Sequence, residues 1–133
     1  MEKIIDILTF KTAKVNIGID CNEIIQMITN KMIIAGFIDY DNEDYRFFKI
    51  GDMWNTQEEI IYETLLLIKG ENNKNFSLYI PSTLDVIKAP VEKIILMPEF
   101  VRNRQEPLFN WGFIDTEEGM VSLITFNYYK EKK

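Results

Sequence analysis

At 133 residues, with 47% hydrophobic and 27% charged residues, the chain has the composition of an ordinary globular domain, which excludes disorder and a coiled coil. The absence of histidine and the single cysteine, Cys21, exclude the commonest general base, Cys/His zinc clusters and an intramolecular disulfide. A formal net charge of −6 argues against nucleic acid as a partner, since nonspecific affinity for phosphates comes from Lys and Arg.

Two strands are predicted at the N-terminal end of the chain. Residues 4–10 and 13–19 are rich in β-branched side chains, which favour strands. In the second segment Val15, Ile17 and Ile19 alternate with polar or small residues, as in a strand with one buried face. We therefore expect both segments in a sheet.

The first of two predicted amphipathic helices follows these strands. Asp20 or Asn22 can cap it, and Gly36 can terminate it after Ala35. The apolar face, which we expect to pack on the core, is formed by Ile24, Ile25, Met27, Ile28, Met32 and Ile33. After the helix, residues 37–38 and 45–50 are predicted to form a hairpin.

The second predicted helix starts from the capping box Thr56-Gln57-Glu58-Glu59 and ends at Gly70. Further strands are predicted at residues 76–80, 93–97, 111–115 and 120–129. The basic tail at 130–133 is expected to fray. Together these elements predict a single α+β domain over residues 1–133, with a mostly antiparallel sheet and two amphipathic helices packed on one face.

The tetrapeptide Gly-Phe-Ile-Asp occurs twice, at residues 36–39 and 112–115. Each copy precedes an acidic turn and a predicted strand. Because no further residues match over the spacing that a true repeat requires, we favour chance over duplication.

The N-terminal residues and the longest apolar runs bear on location. Asp6 interrupts what would have to be the apolar region of a secretion signal. The runs at 65–68 and 94–97 fall far short of the ~20 residues that a bilayer span needs. We expect a cytoplasmic protein with no membrane partner, and the wealth of Ile, Asn and Lys suggests a bacterial or phage source.

Candidate partner-binding residues are acidic and aromatic, the classes suited to a basic partner and to interface anchors. They are Asp39, Asp41, Glu43, Asp44 and Trp54. The acidic turn is not predicted to bind calcium, because Asp44 and Ile50 stand where such a loop needs glycine and a chelating glutamate. Cys21 is expected beside a helix N-terminus, which would lower the pKa of its thiol.

Function is predicted from this profile. No catalytic residue, metal site or cofactor is expected, and the features favour a non-enzymatic inhibitor that binds another protein. The predicted type is an immunity, antitoxin or phage anti-defence protein, and its partner is a protein such as a basic nuclease, toxin or defence component. One alternative is a nucleotide-like anion binder, or a histidine-free enzyme, that uses the guanidinium groups of Arg102 and Arg104. Another is an oligomeric structural or assembly protein, whose sheet edges would pair between chains.

Overall fold

The structure, a computed structural model, describes residues 3–12, 15–41, 44–54, 59–70, 74–97 and 108–126, and these consist mainly of β-strands. The strands are β1 (Ile4–Thr12), β2 (Val15–Asp20), β3 (Ile24–Ile28), β4 (Tyr45–Lys49), β5 (Thr64–Ile68), β6 (Asn75–Ile80), β7 (Thr83–Pro90), β8 (Ile95–Leu96), β9 (Phe109–Thr116) and β10 (Gly119–Thr125). Helical segments include α1 (Lys31–Gly36), α2 (Ile50–Trp54), a π-helical turn (Phe37–Asp41) and 3-10 turns at Cys21–Glu23 and Val91–Lys93.

The strands form two sheets, and one of them combines strands from the beginning and the end of the described chain. A six-stranded sheet has the order β7-β1-β2-β10-β9-β8, and a four-stranded sheet has the order β3-β5-β6-β4. Most neighbouring strands are antiparallel, but β2 pairs with β10, and β4 with β6, in parallel. The four-stranded sheet is therefore inserted between β2 and β7 of the six-stranded sheet.

A layer of apolar side chains joins the two sheets. Leu8 of the six-stranded sheet belongs to the same buried cluster as Leu66 of the four-stranded sheet. The rings of Phe76 in β6 and Phe126 after β10 stack with their centroids 4.6 Å apart. Burial of this layer supplies the main attraction between the sheets.

Each sheet also has a buried cluster of its own on the opposite face. In the six-stranded sheet this cluster includes Ile7 and Leu123. In the four-stranded sheet it includes Leu65 and Leu67, and Ile34 of α1 packs against them. Strand β5, in the middle of the four-stranded sheet, is thus buried on both faces, which accounts for its apolar run at residues 65–68.

The predicted α+β architecture, with two amphipathic helices packed on one face of a sheet, is wrong. The segment predicted as the first helix forms the 3-10 turn at Cys21–Glu23, strand β3 and only then the six-residue helix α1. The helix cap is Asn30, whose side-chain oxygen accepts hydrogen bonds from the amides of Met32 (2.9 Å) and Ile33 (3.2 Å). Tertiary pairing of β3 with β5 outweighs the helical spacing of the isoleucines.

The second predicted helix is also wrong in its described part. Thr64–Ile68 form β5, and all five residues are buried because β3 and β6 flank the strand and side chains cover both faces. A strand of this kind has no polar face, so its apolar run resembles a buried helix. Residues 56–58 of the capping box lie outside the described residues.

The hairpin predicted around the acidic turn is half right. Tyr45–Lys49 form β4, which confirms its second arm. Phe37 and Ile38 instead lie in the π-helical turn and pack against the cluster that contains Leu65 and Leu67. The strands predicted at 4–10, 76–80 and 111–115 are confirmed, and those predicted at 13–19 and 120–129 are confirmed over residues 15–19 and 120–125. Residues 13–14 and 127–129 lie outside the described residues. The strand predicted at 93–97 shortens to Ile95–Leu96. The tail at 130–133 lies outside the described residues.

Candidate functional site

Four strands lie at the edges of the two sheets, and three of them carry features that discourage pairing with another chain. Strand β7 contains Asp85, Lys88 and Pro90. Strand β4 contains Arg46 and Lys49, and β8 is only two residues long. Charge, proline and short length each disfavour the docking of a foreign strand at these three edges.

Strand β3 is the exception among the described edge strands. Its sequence, Ile24-Ile25-Gln26-Met27-Ile28, contains no charged residue and no proline. Ile25 is 49% exposed and Met27 is 46% exposed, although both are large apolar side chains. The strand pairs with β5 on one side only within the described structure, with a bulge where the register shifts between Ile24 and Gln26. This edge can therefore accept main-chain hydrogen bonds and apolar contacts from another strand.

Helix α1, which follows β3 in the chain, carries two more exposed apolar side chains. It begins at Lys31, three positions after the last residue of β3, and exposes 86% of Met32 and 59% of Ile33. Exposed apolar patches mark interaction sites in soluble proteins, and methionine adapts to varied partners because it is unbranched and flexible. We name the set of Ile25, Gln26, Met27, Met32 and Ile33 the β3–α1 surface.

Buried contacts hold the β3–α1 surface in place from behind. Ile28 and Ile34, on either side of the strand–helix connection, are both buried in the cluster that contains Leu65 and Leu67. Just before β3, the carbonyl of Glu23 accepts a hydrogen bond from the amide of Lys69 at 2.8 Å. The buried carboxylate of Glu23 accepts another from the hydroxyl of Thr125, at 2.5 Å, which links the start of β3 to β10. A strand anchored in this way loses little conformational entropy when it binds.

The acidic and aromatic residues predicted to bind a partner lie around β4. Asp39 is exposed in the π-helical turn, Asp41 ends that turn, and Asp44 is exposed immediately before β4. Trp54 ends α2, which begins directly after β4, and Glu43 lies outside the described residues. The five residues of β4 place the acidic turn and α2 about 17 Å apart, at opposite ends of the strand. A joint acidic and aromatic surface stays a prediction.

The anion-binding alternative rests on Arg102 and Arg104, which both lie outside the described residues, so it also stays a prediction. In the described part of the chain, no group of three or more Cys, Asp or Glu side chains is placed to hold a metal ion. Over the same residues, no helix combines the length and apolar character that crossing a membrane requires.

An open cleft of about 730 Å³ lies between β7 and the turn that joins β9 to β10. Its apolar lining includes Ile87, Ile114 and Val121. Its charged lining consists of Asp85, Asp115, Glu117, Glu118, Lys88 and Lys93. The four carboxylates outnumber the two ammonium groups, and the ammonium of Lys88 lies 3.2 Å from the carboxylate of Asp6. This cleft is therefore poorly suited to an anionic ligand.

Cys21 opens the 3-10 turn before β3 and is partly buried. Burial raises the pKa of its thiol, and the nearby carboxylates of Asp6 and Asp20 raise it further. The expectation that a helix N-terminus would lower this pKa is wrong, because the predicted helix is replaced by a single 3-10 turn and a strand. The pKa of this thiol therefore lies above that of an exposed cysteine.

Comparisons with known proteins show the fold alone. No protein-family model and no curated protein matched the sequence. Among solved structures, the chain is similar to the scaffolding protein TtCheW from Thermoanaerobacter tengcongensis, with a TM-score of 0.71 and 14% sequence identity. The match covers 95% of this chain and 92% of that chain. The shared fold agrees with the two-sheet architecture and not with the helix-covered sheet predicted from the sequence.

Proposed function

We propose that this chain is a protein-binding module of the scaffold type, which docks a strand of its partner along the free edge of β3. The observation that carries the proposal is the composition of this edge. Among the four edge strands described, β3 alone has more than two residues, no charge and no proline, and it exposes two large apolar side chains. The likeness in fold to a scaffolding protein supports the same class of function.

The docking mode follows from strand chemistry. Backbone amides and carbonyls of β3 that point away from β5 would bond to an incoming strand, and these bonds are independent of the partner's sequence. Specificity would come from side chains. Ile25 and Met27 offer apolar contacts along the edge, and Met32 and Ile33 extend them onto α1. The best partner segment is therefore extended, apolar and free of proline.

Inhibition of a target protein is one use of such a module, and the inhibitor, immunity or anti-defence role remains a prediction that depends on the partner. A basic partner and a cytoplasmic location are likewise parts of the prediction from sequence. The edge itself is uncharged, so charge complementarity would have to come from residues outside the β3–α1 surface.

The test compares a charge at the proposed edge with the same charge at another edge. Met27→Lys places an ammonium group on β3, and the matched control, Val86→Lys, places one on β7 at a residue with 50% exposure. Tagged wild type and both variants would be used to capture partners from bacterial lysate. We expect Met27→Lys to lose a partner that wild type and Val86→Lys both retain.

Hydrogen exchange then locates the contact. We expect the backbone amides of residues 24–28 to exchange more slowly when the captured partner is bound, because strand addition satisfies the outward amides. A partner that Met27→Lys retains at wild-type level, or one that leaves exchange at 24–28 unchanged, would show that β3 is not the docking edge.

A further inference from the structure

The cleft on the six-stranded sheet combines an apolar floor with an acidic rim. Its floor consists of Ile87, Ile114 and Val121, which belong to or pack against the buried cluster of this sheet. The charged residues of the lining are all exposed, and they include Asp85 in β7 and Glu117 in the turn between β9 and β10. Apolar side chains therefore lie at the bottom of the cleft, and carboxylates lie at its opening.

Hydrogen bonds order both walls of the cleft. On the β7 side, the hydroxyl of Thr9 donates to the carbonyl of Asp85 at 3.1 Å, and the amide of Val86 donates to the carboxylate of Asp85 at 2.8 Å. On the other side, the hydroxyl of Thr116 donates to the carbonyl of Gly119 at 2.7 Å and closes the turn that carries the glutamates of the rim. Both walls are thus ordered before a ligand binds, and a preorganised site costs less entropy to occupy.

The charge of the rim decides which ligands the cleft favours. Four carboxylates and two ammonium groups line it. The ammonium of Lys88 pairs at 3.2 Å with the carboxylate of Asp6, which does not belong to the lining. The rim therefore keeps an excess of negative charge, which attracts cations.

We propose that the cleft binds an extended segment of a partner protein in which apolar residues alternate with lysine or arginine. The apolar side chains pack on the floor, and the cations lie beside the carboxylates of β7 and of the β9–β10 turn. Complementary charge of this kind gives specificity and fast association. The volume of the cleft, about 730 Å³, lies within the ~300–1,000 Å³ of typical ligand sites.

This inference goes beyond the proposed function, because it adds a second docking surface with different chemistry on the other sheet. The β3 edge is uncharged and belongs to the four-stranded sheet, whereas the cleft is acidic and belongs to the six-stranded sheet. A chain with two such surfaces can hold two partners at once. Since neither surface depends on the other, Met27→Lys should leave binding at the cleft unchanged.

A synthetic peptide tests the chemistry of the ligand. The probe is fluorescein-labelled Lys-Leu-Lys-Leu-Lys, and fluorescence anisotropy measures its affinity for the full chain. Lys-Ser-Lys-Ser-Lys keeps the charge without the apolar side chains, and Glu-Leu-Glu-Leu-Glu reverses the charge. We expect each to bind at least about 10-fold more weakly than the probe, because each lacks one of the two complementary features. Equal binding of all three peptides, or no binding of the probe, would overturn the proposal.

Salt separates the two contributions to the affinity of the probe. The rim carboxylates are exposed, so salt screens their attraction for lysine. The affinity should therefore fall between about 0.01 M and about 0.3 M salt, over which the screening length shortens several-fold. An affinity that does not change with salt would show that the rim does not bind the lysines and would also overturn the proposal.

Two pairs of variants at exposed residues locate the binding. Glu117→Lys reverses a charge of the rim, and Asp39→Lys makes the same change in the π-helical turn. Leu84→Ser removes an exposed apolar side chain of the cleft lining, and Val86→Ser removes one from the same strand that does not line the cleft. We expect Glu117→Lys and Leu84→Ser to weaken binding of the probe about 3- to 10-fold, and the two controls to stay within about 2-fold of wild type.

The opposite results exclude the cleft. Binding that Asp39→Lys weakens and Glu117→Lys does not would place the basic segment at the acidic turn before β4. Binding that neither Glu117→Lys nor Leu84→Ser weakens would show that the probe does not occupy the cleft. Neither result bears on the β3 edge, because the capture test with Met27→Lys is independent of the probe.

Discussion

Gly18 in β2 lies at the centre of the six-stranded sheet and has no room for a methyl group. A Cβ at this position would lie 2.5 Å from Ile7 Cγ2, 3.0 Å from Val121 Cγ1 and 3.2 Å from Leu123 Cδ2. Carbon atoms in contact prefer about 3.5–4.0 Å. All three neighbours are buried in one cluster, so they cannot move aside into solvent. We expect Gly18→Ala to lower the free energy of unfolding by about 1–3 kcal/mol, the usual cost of overpacking.

A second glycine provides the control. A Cβ at Gly36, the last residue of α1, would meet no atom within 4 Å. Alanine there should leave stability unchanged or raise it by up to about 1 kcal/mol, since alanine favours helix. Urea denaturation should move the midpoint down for Gly18→Ala and not for Gly36→Ala, with the same slope. Replacing glycine also lowers the entropy of the unfolded chain, which favours folding by about 0.4–1 kcal/mol and offsets only part of the strain. Gly18→Ala as stable as wild type would refute the packing argument.

Three further predictions use the same stability measurement or a thiol assay. Leu66→Ala should lower the free energy of unfolding by about 2–5 kcal/mol, because Leu66 is buried between the sheets; a loss below 1 kcal/mol would contradict this. Thr125→Val should cost about 1–3 kcal/mol, since it leaves the buried carboxylate of Glu23 without that donor, and calorimetry should show the lower melting temperature. The raised pKa of Cys21 means that the folded state keeps the thiol proton to higher pH than the unfolded state. The free energy of unfolding is therefore highest below the pKa that the thiol has in the unfolded chain, and it falls as the pH rises through the pKa of the thiol in the folded protein. Cys21→Ser should remove this fall at alkaline pH. Alkylation of the folded thiol should also be slower than that of the urea-unfolded chain, and equal rates would exclude the shift.

The C-terminal hairpin was predictable because its determinants are local. Gly119 adopts a φ of 115°, a conformation that glycine reaches without strain. The hydroxyl of Thr116 donates to the carbonyl of Gly119 at 2.7 Å and accepts from the amide of Glu118 at 3.2 Å. Four consecutive residues thus contain the chemistry of the turn, and the alternating strands on either side confirm it.

The repeated tetrapeptide shows that local sequence alone does not determine secondary structure. The sequence Gly-Phe-Ile-Asp ends α1 and enters the π-helical turn at residues 36–39, but lies within β9 at residues 112–115. The neighbours decide the outcome. Residues 112–115 lie beside β10 and β8, which offer hydrogen bonds to a strand, whereas residues 36–39 continue a helix that packs on the four-stranded sheet.

The β3–α1 surface was hidden in the sequence for the same reason. Ile25, Met27, Met32 and Ile33 were expected to form the buried face of a helix, since their spacing suits one. They are exposed because β3 ends a sheet and α1 is too short to bury them. Spacing reports which residues share a face, but only the order of strands decides whether that face meets protein or water. Two features of the sequence indicate a strand followed by a short helix. Residues 24–29 are rich in β-branched side chains, which favour a strand, and Asn30 can cap a helix that starts after it.

The insertion of one sheet within the other has a kinetic consequence. All pairs of the four-stranded sheet lie within residues 24–80, whereas β2 must pair with a strand about 100 positions away, as in Asn16 with Val121. Closing so long a loop costs entropy before any contact compensates for it, and such pairing slows folding. We expect the inserted sheet to form first and the β1–β2 hairpin to wait for β10 with one side of β2 unpaired. During that interval an apolar strand in the middle of the future sheet is open to other chains, so the time between synthesis of β2 and of β10 is the period of greatest risk of aggregation.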